Sequence, residues 1–127
     1  MDIIISSSNP KPIYEQIAEQ IRAAVLTGQL KAGSPLPSMR YLAKELRISV
    51  ITTKRAYENL EREGFIETVI GKGSYVAKRD IAGLRENEIK QIEGRLRKPI
   101  AEAKKIGMTL ERLLGAVENI YTGESKL

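Results

Sequence analysis

Residues 37–63, PSMRYLAKELRISVITTKRAYENLERE, read as two helices joined by a very short turn. Leu42, Ala43 and Leu46 form one apolar set and Ala56, Tyr57 and Leu60 a second, each at the three-to-four spacing that holds one helix face on a core. A face drawn through Ala56, Tyr57 and Leu60 leaves Thr53 off it. Ser38 and Ser49 stand where the helices start, each with a side-chain oxygen able to accept from amides that the first turn leaves unpartnered. Arg47 and Ile48 leave room only for a tight corner. Gly64, after the second helix, is the residue type best suited to a left-handed cap. Two short helices crossing through three or four residues make a helix-turn-helix.

Upstream, Pro12 opens a helix at a position whose amide is not needed. Ile13, Ile17, Ile21, Ala24 and Val25 give that helix an apolar stripe, and Gly28 ends it. The nine residues before Pro10 read as a loose arm, with Ile3 to Ile5 packing as a short extended piece. Residues 28–38, GQLKAGSPLPS, have no helical period and form a connector. Within it Leu36 lies between Pro35 and Pro37, which push it into an extended, edge-strand shape. Downstream, residues 65–69 (FIETV) and 74–77 (SYVA) flank Ile70-Gly71-Lys72-Gly73, the pattern of a hairpin around a Gly-rich turn. The order helix, short strand, helix, helix, hairpin is the winged helix-turn-helix plan, with the hairpin as wing.

The character changes near Asp80. From Ile81 to Ile106 the chain is highly charged, with Ile89, Ile92, Leu96, Ile100, Ala103 and Ile106 at helical spacing. Pro99 falls inside this pattern, where it deletes one backbone bond and costs about 3 kcal/mol if the helix stays straight, so a kink or break is expected there. Gly107 closes the segment. Thr109 caps another helix, which carries Leu110, Leu113, Leu114, Val117 and Ile120. Two such helices cannot bury both apolar faces against each other alone. Either they wrap back onto their own domain, or a second copy of the chain covers them; the second arrangement also presents two reading helices to a palindrome. The expected architecture is therefore mainly α with a small β-hairpin: a winged helix-turn-helix domain over residues 1–79 and a short two-helix dimerisation arm over 80–127.

The chain has 127 residues, no cysteine and no histidine. Disulfides, thiolate nucleophiles, imidazole bases and zinc-finger ligand sets are thereby excluded. No apolar run reaches the length of a membrane span, and the N-terminus lacks the basic region and long apolar stretch of a signal peptide, so a cytoplasmic location is expected. Residues 1–79 carry 12 Lys/Arg against 8 Asp/Glu, while residues 80–127 carry 9 against 8. The net charge of +5 thus sits mostly with the helix-turn-helix half, which favours a polyanionic partner.

Two stretches, PIYEQIAEQIRAAVLTGQLKAGSPLPSMRYLAKEL and ISVITTKRAYENLEREGFIETVIGKGSYV, resemble the GntR family of bacterial transcription regulators over residues 12–76. The short two-helix tail resembles the YtrA-type subfamily. The resemblance implies a regulator that binds double-stranded DNA as a homodimer and represses its targets, with membrane-transporter genes a frequent target. It also implies that Arg40 contacts DNA, in an SMR triplet where SER is more usual, and that Gly71-Lys72-Gly73 is the wing tip. Val50 stands where other members carry arginine, and Lys54 keeps a basic group without arginine's bidentate fork.

Reading a major groove needs side chains on the exposed first turns of the second helix. Ser49, Val50, Thr52 and Lys54 are the candidates: hydroxyls for phosphates or base edges, a methyl-bearing side chain for thymine, a cation for guanine or phosphate. Lys72 would enter the minor groove or meet a phosphate, and the flanking glycines allow close approach of the backbone. Lys11 and Tyr14 are further candidate phosphate contacts. Arg55 and Arg62 read as a solvated face or as partners of Glu58 and Glu61.

A different class of function is a winged helix that docks an acidic protein partner. Double-stranded RNA fits less well, because its deep narrow groove does not admit a helix. An enzyme fits least: the carboxylates are scattered among Lys and Arg, and Gly-Lys-Gly fails the phosphate-loop pattern. No cofactor is implied. The tail is too small to enclose a ligand pocket, though a groove between two copies could hold an effector, and an all-carboxylate metal site stays open.

Overall fold

The computed structural model describes residues 2–78 and 80–123. The chain divides into two compact units, residues 1–86 and 87–127. The elements are α1 (Ile13–Leu26), α2 (Met39–Leu46), α3 (Val50–Arg62), β1 (Ile66–Val69), β2 (Gly73–Val76), α4 (Ile81–Lys105) and α5 (Leu110–Thr122).

In the first unit, Ile17, Ile21 and Val25 of α1 meet Ala56, Tyr57 and Leu60 of α3, with Leu36, Leu42, Phe65, Ile66 and Val76 completing the core. Apolar burial of this kind supplies the main driving force for folding. The helix ends are closed by local chemistry. Ser38 and Ser49 accept hydrogen bonds from the amides of Tyr41 and Thr52, both at 3.1 Å. At the corner, Arg47 adopts a left-handed conformation (φ 56°), and the Ile48 amide donates back to Ala43 O at 3.0 Å. The same six-to-one closure follows α3, where Gly64 has φ 91° and the Phe65 amide donates to Leu60 O.

The N-terminal segment is held more firmly than a loose arm. Gln16, buried on α1, accepts from the Ser6 amide at 3.0 Å and donates to Lys11 O at 2.9 Å. Gln20 pairs with both backbone groups of Ile4, accepting at 2.9 Å and donating at 2.6 Å. Two side-chain amides thus replace a missing neighbour strand, and Ile3 and Ile5 pack against the core as expected.

β1 and β2 pair antiparallel, Ile66 with Val76 through Val69 with Gly73. The expected edge strand at Leu36 shrinks to a single bridge between Pro35 and Tyr75. Leu36 N–H donates to Ser74 O at 2.9 Å and Val76 N–H to Ser34 O at 2.8 Å. The prolines on either side of Leu36 have no N–H to extend the ladder.

The first turns of α4 close this unit. Ile81 and Leu84 pack against its core, Asp80 Oδ1 accepts from the Gly83 amide at 3.0 Å, and Arg85 donates to Leu26 O at 3.3 Å.

In the second unit α4 runs unbroken through Pro99 to Lys105. Of the kink or break expected at Pro99, the break is absent. Residues 91–102 are all exposed, so water can satisfy the carbonyl that proline leaves without a donor. Gly107 (φ 74°) then turns the chain, the Met108 amide donates to Ala103 O, and Thr109 caps α5 through the Arg112 amide at 3.1 Å. Ala103 is buried, whereas Ile92, Leu96, Ile100, Leu110, Leu114, Val117, Ile120 and Tyr121 are exposed.

Candidate nucleic-acid interface

The site is built on the α2–α3 corner. Because Ser49 ends a tight turn in extended backbone, its hydroxyl caps α3 and also shares a 2.8 Å hydrogen bond with the Thr52 hydroxyl. That bond uses one of the two hydroxyl protons. The other stays free to donate to a phosphate oxygen or a base-edge acceptor. Thr52 is half-buried, while Ser49, Val50 and Lys54 are exposed.

Thr53 is not on the surface. It is completely buried, and its hydroxyl points back to Ser49 O at 3.4 Å. Positions 53, 56, 57 and 60 form one i, i+3, i+4, i+7 stripe, so the core face of α3 starts a turn earlier than Ala56. The outward face is correspondingly apolar at one point: Ile51 is 79% exposed, more than Val50 at 44%. An isoleucine so placed, one residue from Val50 and three from Lys54, is a second candidate for contact with a thymine methyl. Its exposure follows once Thr53 is assigned to the core.

Arg40 is exposed in the first turn of α2. Ion pairs among the described residues join Lys11 to Glu19 and Arg22 to Glu63, so Arg40, Lys54 and Lys72 keep their charge free of a carboxylate. Lys11, by contrast, spends its charge on Glu19, which weakens its standing as a phosphate contact.

At the wing tip, Gly71 and Gly73 have φ of 80° and 110°, and a β-carbon at either would meet no heavy atom within 4 Å. Glycine is needed there for backbone conformation, not for space. Lys72 is exposed between them. Its amide donates to Val69 O at 2.9 Å, and the Tyr75 hydroxyl donates to Lys72 O at 3.1 Å, which fixes the loop from both sides. Ile70 at the same tip is 98% exposed.

Arg55 and Arg62 are both exposed, as a solvated face requires, and neither pairs with Glu58 or Glu61 among the described residues. Arg62 donates to Asn59 Oδ1 at 3.2 Å, and Glu61 accepts from the Thr68 amide of the wing at 3.1 Å. Arg55 lies with its guanidinium carbon 3.8 Å from the centroid of the Tyr14 ring, joining α3 to the start of α1. Nothing in the local sequence around Arg55 signals this contact, since its partner is on another helix. Beneath the site, the Tyr57 hydroxyl donates to Pro37 O at 2.7 Å, and burial pushes its pKa up to about 12.

This frame is shared. Residues 13–76 match the description "bacterial regulatory proteins, gntR family". The chain is 39% identical over 111 residues to the HTH-type transcriptional repressor YtrA of Bacillus subtilis (strain 168), covering 87% of this chain and 85% of that protein. A transcriptional regulator from Oenococcus oeni, solved by crystallography, superposes with a TM-score of 0.73 at 30% identity, over 92% of this chain and 97% of the other. The crystal structure of AraR(DBD) in complex with operator ORE1 matches 61% of this chain and 94% of its own, with a TM-score of 0.51 at 25% identity. The chain belongs to the gntR family of bacterial regulatory proteins and is a DNA-binding transcriptional regulator of winged helix-turn-helix fold.

Proposed function

We propose that two copies of this chain pair through the arm formed by residues 80–127 and that residues 1–79 of each read one half of a palindromic operator, repressing the gene behind it. The observation that carries the reading is the capped, exposed start of α3, with a free hydroxyl proton at the Ser49–Thr52 pair and unneutralised cations at Arg40 and Lys54. Ser49, Val50, Thr52 and Lys54 enter the major groove. Arg40 reads a base or grips a phosphate beside them. Gly71, Lys72 and Gly73 meet the minor groove or its backbone, and Tyr14 lies against the flanking phosphates, with Lys11 reaching one only by giving up its ion pair with Glu19. The AraR(DBD) operator complex supports this use of the fold.

Pairing is supported by the apolar row on α5, where Leu110, Leu114, Val117 and Tyr121 recur at four-three-four spacing and are all exposed. A row of that period fits a facing helix. Repression is the role named for YtrA of Bacillus subtilis, and a transporter operon is the target that the YtrA-type resemblance implies. The protein acts in the cytoplasm, where that DNA is, and has no catalytic role. Among the described residues no helix is long and apolar enough to cross a membrane, and no group of three or more acidic residues gathers as a metal site.

Selection of duplexes from a random pool by the purified protein tests the proposal. A two-fold symmetric consensus is expected, with affinity falling steeply with salt by about 0.9 in log–log slope per phosphate neutralised. Recovery of isolated half-sites would remove the dimer. A flat salt line would favour a protein partner over DNA.

A further inference from the structure

We infer that Arg55 is a phosphate clamp on the recognition helix, held in position by the ring of Tyr14; the inference rests on the DNA-binding reading above. Tyr14 is half-buried against the core and contributes a fixed aromatic face at the start of α1. Arg55, exposed in the second turn of α3, lays its guanidinium 3.8 Å over that face. A guanidinium on an aromatic face keeps its N–H edges free, because the contact uses the plane and not the donors.

The contrast with Arg22 is informative. Arg22 also lies over an aromatic ring, that of Phe65, at 5.6 Å, but Glu63 takes its donors at 2.6 and 3.1 Å. Arg22 is a neutralised strut. Arg55 takes part in neither ion pair found among the described residues, and no hydrogen bond there occupies its donors. It lies one helical turn beyond Ile51, the most exposed apolar side chain of α3, and next to Lys54. A full positive charge, pre-ordered on the outward side of a groove-reading helix, is matched to the two non-bridging oxygens of a backbone phosphate. Tyr14 is then a positioning residue: it removes rotamers from the arginine before DNA arrives, so less freedom is lost on binding.

The test compares binding of wild type, Arg55→Gln, Tyr14→Phe, Tyr14→Leu and Arg22→Gln to two duplexes, one selected by the wild-type protein and one of random sequence, across salt concentrations. Melting midpoints are recorded for each. Arg55→Gln is expected to make the salt line shallower by about 0.9 per contact, hence about 1.8 for a dimer on two half-sites. The affinity loss should be equal on both duplexes. Tyr14→Phe, which keeps the ring and loses only the hydroxyl's own phosphate contact, should retain the wild-type salt slope. Tyr14→Leu should weaken binding beyond Tyr14→Phe and make the slope shallower, and equal binding by these two variants would remove the positioning role of the ring. Arg22→Gln should lower the melting midpoint and leave the slope unchanged. An unchanged slope in Arg55→Gln, whatever its melting midpoint, overturns the clamp, as does a loss confined to the selected duplex, which would make Arg55 a base reader. A wild-type protein with no salt-dependent binding overturns the DNA reading itself, and the clamp with it.

Discussion

Tyr57 shows how one buried polar atom sets the site's foundation. Its hydroxyl donates to Pro37 O from the middle of α3, tying the helix to the segment that leads into the Ser38 cap. Tyr57→Phe removes the donor and leaves a carbonyl unpaired, so a loss of about 1 kcal/mol in unfolding free energy is expected by denaturant titration. The hydroxyl's pKa lies near 12 in the fold against 10.0 for a free tyrosine. Its contribution is therefore intact below pH 10 and lost as the pH rises toward 12, where the unfolded chain gains by ionising. Wild type should lose stability over that window, and the phenylalanine variant should lose less. Arg40 sits at the opposite extreme, exposed and in neither ion pair found among the described residues. Arg40→Ala should leave the melting midpoint in place and weaken binding to a selected duplex by about 1–3 kcal/mol if it reads a base. Unchanged affinity in a titration would remove Arg40 from the interface.

Among the elements, α4 departs most from expectation. Proline in a helix interior removes one donor and crowds the carbonyl four residues back, yet the helix continues through Pro99. The neighbouring residues are exposed, so solvent relieves the lost bond but not the steric crowding. Pro99→Ala should recover up to about 3 kcal/mol of local helix stability. Amide exchange across residues 91–102 would slow in that variant; equal exchange would mean that the proline costs the helix nothing. The wing reaches the reading helix by a different route. Glu61 of α3 holds the Thr68 amide of β1, and the Thr68 and Ser74 hydroxyls bridge the two strands at 3.0 Å. The hairpin tip is thereby referenced to α3 and not left to swing on its own turn.

The molecule leaves a row of large apolar side chains in water along its C-terminal arm, including Leu110, Leu114 and Ile120 on α5 and Ile92 and Leu96 on α4. Burying side chains of this size stabilises by roughly 1.5–3 kcal/mol each. In the proposed pairing, a second copy supplies that burial without altering the DNA-reading unit. Leu114→Glu places a charge in the centre of the row and should convert a dimer to monomers in sedimentation equilibrium, with affinity for a symmetric duplex dropping toward that for a half-site. A dimer that survives the substitution would place the pairing surface elsewhere.

Much of this architecture was legible in short windows of residues. The caps at Ser38, Ser49 and Thr109, the corner at Arg47 and Ile48, the left-handed Gly64 and the Gly71–Gly73 turn each follow from interactions spanning no more than six residues, where residue type and spacing carry the physics. The burial of Thr53, the Gln16 and Gln20 amides that hold the N-terminal segment, the reduction of the Leu36 strand to one bridge and the Arg55–Tyr14 stack do not. Each depends on which distant surface packs beside the residue: Tyr14 and Arg55 are far apart in the chain, and only the packing of α1 against α3 brings them to 3.8 Å. Local chemistry specified the elements, and the free energy of burying them together chose which side chains were left to face a partner.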